Sequence, residues 1–159
     1  MLKTLAIGTT VAALAIGLAA PPAAGSCWTY RDREKRLARK INDARRSRGL
    51  PALRRDPQLS KVSRTHSYEM AKKRTLYHTP SSILGSRVTR WVSLGENVAR
   101  TKNVRRAFRK MMRSSYHRAN ILDSTWVYFG VGTVKKNGDL WSTITFEAVV
   151  DPGTTLKMC

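Results

Sequence analysis

Apolar residues recur at Leu37, Ile41 and Ala44 within a strongly charged segment, a spacing that predicts a helix over about residues 31 to 48. Gly49 is its natural stop. Asp56-Pro57 then supplies an N-cap followed by proline in the first turn. Leu59, Val62, His66 and Met70 continue one stripe, so a second helix is predicted to run to about Lys73. Thr79-Pro80-Ser81-Ser82 reads as a turn into a stretch, Ile83 to Val92, that has no clear period. Val104, Ala107, Phe108 and Met111 mark the inner side of a third helix, about Asn103 to Met112. Finally, Val127 to Val134 and Leu140 to Val150 are rich in β-branched and aromatic residues and flank Asn137-Gly138, which predicts a β-hairpin. Helices followed by an antiparallel pair give an expected α+β class.

Ahead of these elements, Met1 to Lys3 form a short positive start and Leu5 to Ala20 an apolar run. Ala23-Ala24-Gly25 offers small residues for cleavage before Ser26, so residues 1–25 read as a secretory signal and 26–159 as a single domain. A membrane-spanning helix needs about 20 apolar residues, and Pro21-Pro22 interrupt the run too soon. Export places the only two cysteines, Cys27 and Cys159, in an oxidising compartment, where a bridge between the two ends is the first expectation. The alternative is a lipoprotein anchored through Cys27, because Ala24-Gly25-Ser26-Cys27 loosely resembles a lipobox.

The chain carries a formal charge of +20, and loss of residues 1–25, whose only charged side chain is Lys3, leaves +19. Residues 31–55 hold eleven Lys or Arg against Asp32, Glu34 and Asp43, and residues 100–118 hold eight with no acid. Both segments are mostly predicted helix, so much of this charge belongs on solvated faces. Such a field favours polyanions, and for an exported protein the accessible ones are anionic wall polymers and lipid surfaces. Sequence-specific nucleic-acid reading is not expected, since no recognised motif accompanies the charge.

His66, His78 and His117 are the only histidines, lying in HSYEM, LYHTP and SSYHRANIL, and LGENVA supplies Glu96 between the last two. Imidazole and carboxylate are good ligands for zinc, and two His with one Glu would leave an open position for water. In this order and spacing the segments resemble the CAP superfamily, or SCP domain, of secreted cysteine-rich, antigen 5 and pathogenesis-related proteins, in particular its compact bacterial branch. The resemblance covers about residues 36 to 150. It implies a three-layer α/β/α sandwich around a small central antiparallel sheet, with a cleft on one side.

Relatives carry two His and two Glu in that cleft. Matched motif to motif, His78 corresponds to the first His, Glu96 to the Glu of GEN, and His117 to the second His. The other Glu has no counterpart, because residues 97–116 contain no acid. His66 and Glu69 are secondary candidates, with His66 on the buried stripe of the second helix more readily a core histidine. Asn97 and Asn120 are expected to hold loop backbone.

Neither G-x-S-x-G nor H-E-x-x-H is present, so the common hydrolase signatures are missing. The expected function is therefore a monomeric, secreted, non-enzymatic binding module. Its His78, Glu96 and His117 cleft would take zinc or a small ligand, and its basic surface anionic partners. One alternative is a zinc-assisted hydrolase of wall, lipid or peptide substrates, with His78 and His117 on the metal and Glu96 as ligand or base. Another is a cluster that only stabilises the fold.

Overall fold

The computed structural model describes residues 27–149 and 152–159, and the predicted signal lies outside the described residues. Helix α1 (Asp32–Arg46) opens with Glu34 reaching back to the Arg31 amide at 2.9 Å, and Gly49, just beyond its end, has φ +72°. A two-residue strand β1 (Arg54–Arg55) leads to α2 (Pro57–Lys73), where Asp56 Oδ1 accepts from the Leu59 amide at 2.8 Å. Both helices follow the apolar periods and caps seen in the sequence. The aperiodic stretch begins with a short helix α3 (Ser81–Ser86), after which LGENVA lies within a strand, β2 (Ser93–Thr101). Then come α4 (Val104–Arg113), α5 (Ser115–Leu122), β3 (Tyr128–Lys136) and β4 (Asp139–Ala148).

The sheet order is β1-β3-β4-β2. β4 pairs antiparallel with both β3 and β2, and β1 adds a two-residue parallel edge beside β3. Asn137 and Gly138 both have positive φ, +49° and +75°, as a tight two-residue hairpin turn requires.

Alternation along β4 divides the core into two layers. Leu140, Ile144 and Phe146 pack with Leu37, Ile41, Met111 and Ile121, so α1, α4 and α5 cover one face. Trp141 turns to the other face, against Met70 and Ala71 of α2. Trp126 and Trp141 are both buried, as aromatic core residues should be. This α/β/α layering on a four-stranded sheet is the arrangement implied by the family resemblance.

The α2 layer sits unusually close to the sheet. A Cβ on Gly130 would fall 2.0 Å from the Leu59 carbonyl carbon, and one on Gly132 would fall 2.0 Å from the Arg64 nitrogen. Small polar groups fill the seam. Ser63 Oγ bonds the Gly130 carbonyl at 3.2 Å and Thr145 Oγ1 at 2.9 Å, while Ser67 Oγ reaches the Gly132 carbonyl at 3.1 Å and Thr143 Oγ1 at 2.9 Å. Each of these four seam hydroxyls thus has a partner, which offsets its desolvation.

Two buried charges tie the elements together, one between layers and one within a layer. Glu34 is fully buried and accepts from Arg64 Nε at 2.8 Å and the Thr133 amide at 3.2 Å, joining α1 to α2 and β3. Arg45, also fully buried, donates to the carbonyls of Pro51, Ile121 and Asp123 at 2.7 to 2.9 Å. Two of those carbonyls lie at the end of α5, where a cation complements the helix dipole. Burial lowers the Arg45 pKa from its ordinary value, partly offset by Asp123.

Cys27 and Cys159 form a disulfide, with Cα atoms 4.9 Å apart and a parallel bridge between Trp28 and Met158 beside it. The bridge occupies the sulfur that a lipid anchor would need.

Candidate ligand cleft

Three connections of the fold bring the matched residues together. His78 follows α2 on an extended segment, Glu96 sits in β2, and His117 lies in the first turn and a half of α5. The side chain of Glu96 is only 5% exposed, and both its oxygens are used. Oε1 accepts from His78 Nδ1 and from the Thr79 amide, both at 2.9 Å, and Oε2 accepts from Thr79 Oγ1 at 2.7 Å. The carboxylate therefore fixes His78 as the tautomer protonated on Nδ1 and leaves Nε2 as the free lone pair.

The two cleft imidazoles are stacked, with centroids 6.5 Å apart and planes at 27°. His117 is half-buried, and its Nδ1 is buried without a hydrogen-bond partner. Burial, then the His78 charge and then Lys110, hold the His117 pKa below its ordinary value, so the neutral ring is favoured at neutral pH. Its position is set through the backbone. Asn97 Nδ2 donates to the His117 carbonyl at 2.9 Å, and Asn120 Nδ2 donates to Asn97 Oδ1 at 3.0 Å, coupling α5 to β2. Asn97 thus holds helix backbone, and Asn120 holds Asn97 and, at 3.4 Å, the Glu96 carbonyl of β2, where loop backbone was the expectation.

His66 lies behind this arrangement. It is fully buried on α2, donates Nε2–H to the Tyr77 carbonyl at 2.8 Å, and packs edge-on against the Tyr77 ring. Its Nε2 is 4.0 Å from Glu96 Oε1, so it backs the carboxylate from inside the protein and has no solvent-facing surface. Glu69 turns to Arg87, with Oε1 2.9 Å from Nη2. Partial burial alone would raise its carboxyl, but hydrogen bonds from Arg87 and then His66 hold it below its ordinary value.

The donor set suits a metal only in part. Two imidazoles with free nitrogens are good zinc ligands, whereas the Glu96 oxygens are committed to His78 and Thr79. Among the described residues, no group of three or more His, Cys, Asp or Glu side chains is placed to hold an ion together. Glu96 accordingly serves as the orienting partner of a histidine, the usual place of a carboxylate one step behind a metal ligand. Thr79, which closes the carboxylate from both its amide and its hydroxyl, has no signal in the sequence beyond its position next to His78.

Residues 38–146 match the family model of CAP, the cysteine-rich secretory protein family. Among solved structures, an outer surface protein of Borrelia burgdorferi superposes with a TM-score of 0.68 at 18% identity, over 77% of this chain and 97% of that one. An extracellular SCP-domain protein of Bacillus anthracis gives 0.66 at 26% identity, over 74% of this chain and 40% of that one. A cysteine-rich secretory protein of Staphylococcus aureus gives 0.63 at 20% identity, over 74% and 39%. The chain thus spans about two fifths of the length of the Bacillus and Staphylococcus proteins. Comparison with curated protein sequences gives no match.

Proposed function

Because the chain belongs to the CAP family of cysteine-rich secretory proteins, we propose that it acts outside the cell as a monomeric, non-enzymatic binding module. His78 and His117 take a divalent ion or a small ligand, and the basic helices meet anionic wall polymers or lipid surfaces. Extracellular relatives and the Cys27–Cys159 bridge support the oxidising location. The apolar N-terminal run supports export as its route.

The observation that carries the cleft is the pairing of His78 with Glu96. A buried carboxylate holds one imidazole by Nδ1, while His78 Nε2 and His117 Nδ1 have no hydrogen-bond partner among the described residues. Zinc, when bound, would supply a Lewis-acidic centre with open positions for water or a ligand. His78 and His117 would hold it, and Glu96 would keep His78 oriented. One observation favours the purely structural reading instead: Glu96 and Thr79 already satisfy each other without any ligand.

Calorimetric zinc titration of the metal-stripped mature protein separates these readings, with a folded His78→Ala/His117→Ala variant as control. Stoichiometric binding that disappears in the variant is the expected result. No heat in the wild type, together with a lowered melting temperature in the variant, would leave the cluster a structural device. Turnover of a wall, lipid or peptide substrate that a chelator abolishes would replace the binding module with the hydrolase.

A further inference from the structure

Part of the basic surface is concave. A cavity of about 520 Å³ lies between α1 and the segment joining β2 to α4. Arg33, Arg36 and Lys40 line it from α1, at spacings of three and four residues that stack them along one helix face. Lys102, Arg105 and Lys135 line it from the β2–α4 turn, α4 and β3, and no carboxylate is among the lining residues.

The cations there are only partly compensated. Asp139 accepts from Lys102 Nζ at 2.7 Å and from Arg100 Nε at 2.8 Å, so it serves one cation of the cavity and one outside it. Lys135 Nζ donates to the Lys102 and Gly138 carbonyls at 2.9 and 2.8 Å, which does not neutralise it. Lys40 Nζ lies 5.9 Å from the Phe108 ring centroid. Arg33, Arg36 and Arg105 are exposed and make no hydrogen bond or ion pair among the described residues.

Like charges gathered around a concavity repel each other, and the low-dielectric wall concentrates their field. An anion in the cavity would relieve that repulsion. Three guanidinium groups on opposed walls favour phosphate in particular, because the planar donor fork matches two of its oxygens at once. The N-terminal turn of α4 adds backbone donors at the same wall. Asn103 Oδ1 takes the Arg106 amide at 3.0 Å, while the amides of Val104 and Arg105, both lining residues, have no intrahelical acceptor.

We propose that this cavity is an oligophosphate site, taking a ligand that presents two or more closely linked phosphate groups. The proposal rests on the polyanion part of the function proposed above and gives it a location and a ligand class. Opposed walls each carrying guanidinium and ammonium groups suit linked phosphates, which can engage both walls, better than a single isolated one. Separated phosphodiesters on a flat lipid surface would reach only the rim.

The test is titration calorimetry with inorganic tripolyphosphate at fixed ionic strength, beside orthophosphate and phosphatidylglycerol vesicles. Tripolyphosphate should bind about tenfold or more tightly than orthophosphate. The variant R33Q/R36Q/R105Q should lose about tenfold or more in affinity, whereas R39Q/R54Q/R113Q, which removes equal charge outside the cavity, should change by less than about threefold. All six arginines are exposed, and melting curves verify folding; the single R105E variant serves if the triple fails to fold. Equal losses in both triples, or no preference for tripolyphosphate, would overturn the cavity. Retained vesicle binding would then leave the general anionic-surface reading standing, and loss of all binding in the wild type would remove both.

Discussion

On β4, between its partners Leu94 and Tyr128, the carboxyl of Glu147 is fully buried and neither oxygen has a hydrogen-bond partner. Burial, then the nearby Asp56 charge, pushes its pKa from 4.5 up to about 7. Unfolded, the group loses its proton near 4.5, so between those values the folded state binds more protons. Stability therefore falls as pH rises through that window, by roughly 3 kcal/mol in total, and this contribution is complete only below it. Glu147→Gln should flatten the trend, measured as urea midpoints at about pH 5 and pH 8; an undiminished slope in the variant would show that other groups cause it. Thr79→Val should destabilise by about 1–3 kcal/mol in the same assay, because it strands a buried oxygen of Glu96, and Thr79→Ser should recover most of the loss. His78, Glu96 and His117 are legible in the sequence because each sits in a distinctive motif. Thr79 is not, since a threonine before proline reads as a turn and its partner is 17 residues away.

Among the elements, α1, α2, α4 and the hairpin announce themselves through period, caps and Asn137-Gly138. β2 does not, because its buried residues run consecutively, Asn97, Val98 and Ala99, and Gly95 and Asn97 disfavour a strand. Pairing with β4 along its whole length imposes the strand nonetheless. α5 is equally silent, with only Ile121 buried. It is held from outside, by Arg45 on the carbonyls of Ile121 and Asp123 and by Asn97 on that of His117. The seam under α2 escapes the sequence for another reason: Ser63, Ser67, Gly130 and Gly132 resemble surface or turn residues until two backbones meet. Gly132→Ala should cost about 1–3 kcal/mol or more, since the methyl group would strike Arg64 backbone that cannot swing aside. A urea midpoint equal to wild type would mean that α2 can lift from β3.

For the whole molecule, the α+β class follows from the chain's own pattern, whereas the layered sandwich comes from the motif resemblance. Charge acts at this scale too, since any polyanion binding through so basic a surface would weaken with added salt as released counterions are restored. The disulfide closes a loop with a sequence separation of 132 residues. Reduction should lower unfolding free energy by up to about 5 kcal/mol, less if the unfolded chain retains structure, as read from urea curves with and without reductant. The Asn137-Gly138 turn is exposed and lies within that loop. A protease nick there would produce two polypeptides that remain one molecule, visible on a reducing gel and silent on a non-reducing one, with every strand still paired to its neighbour.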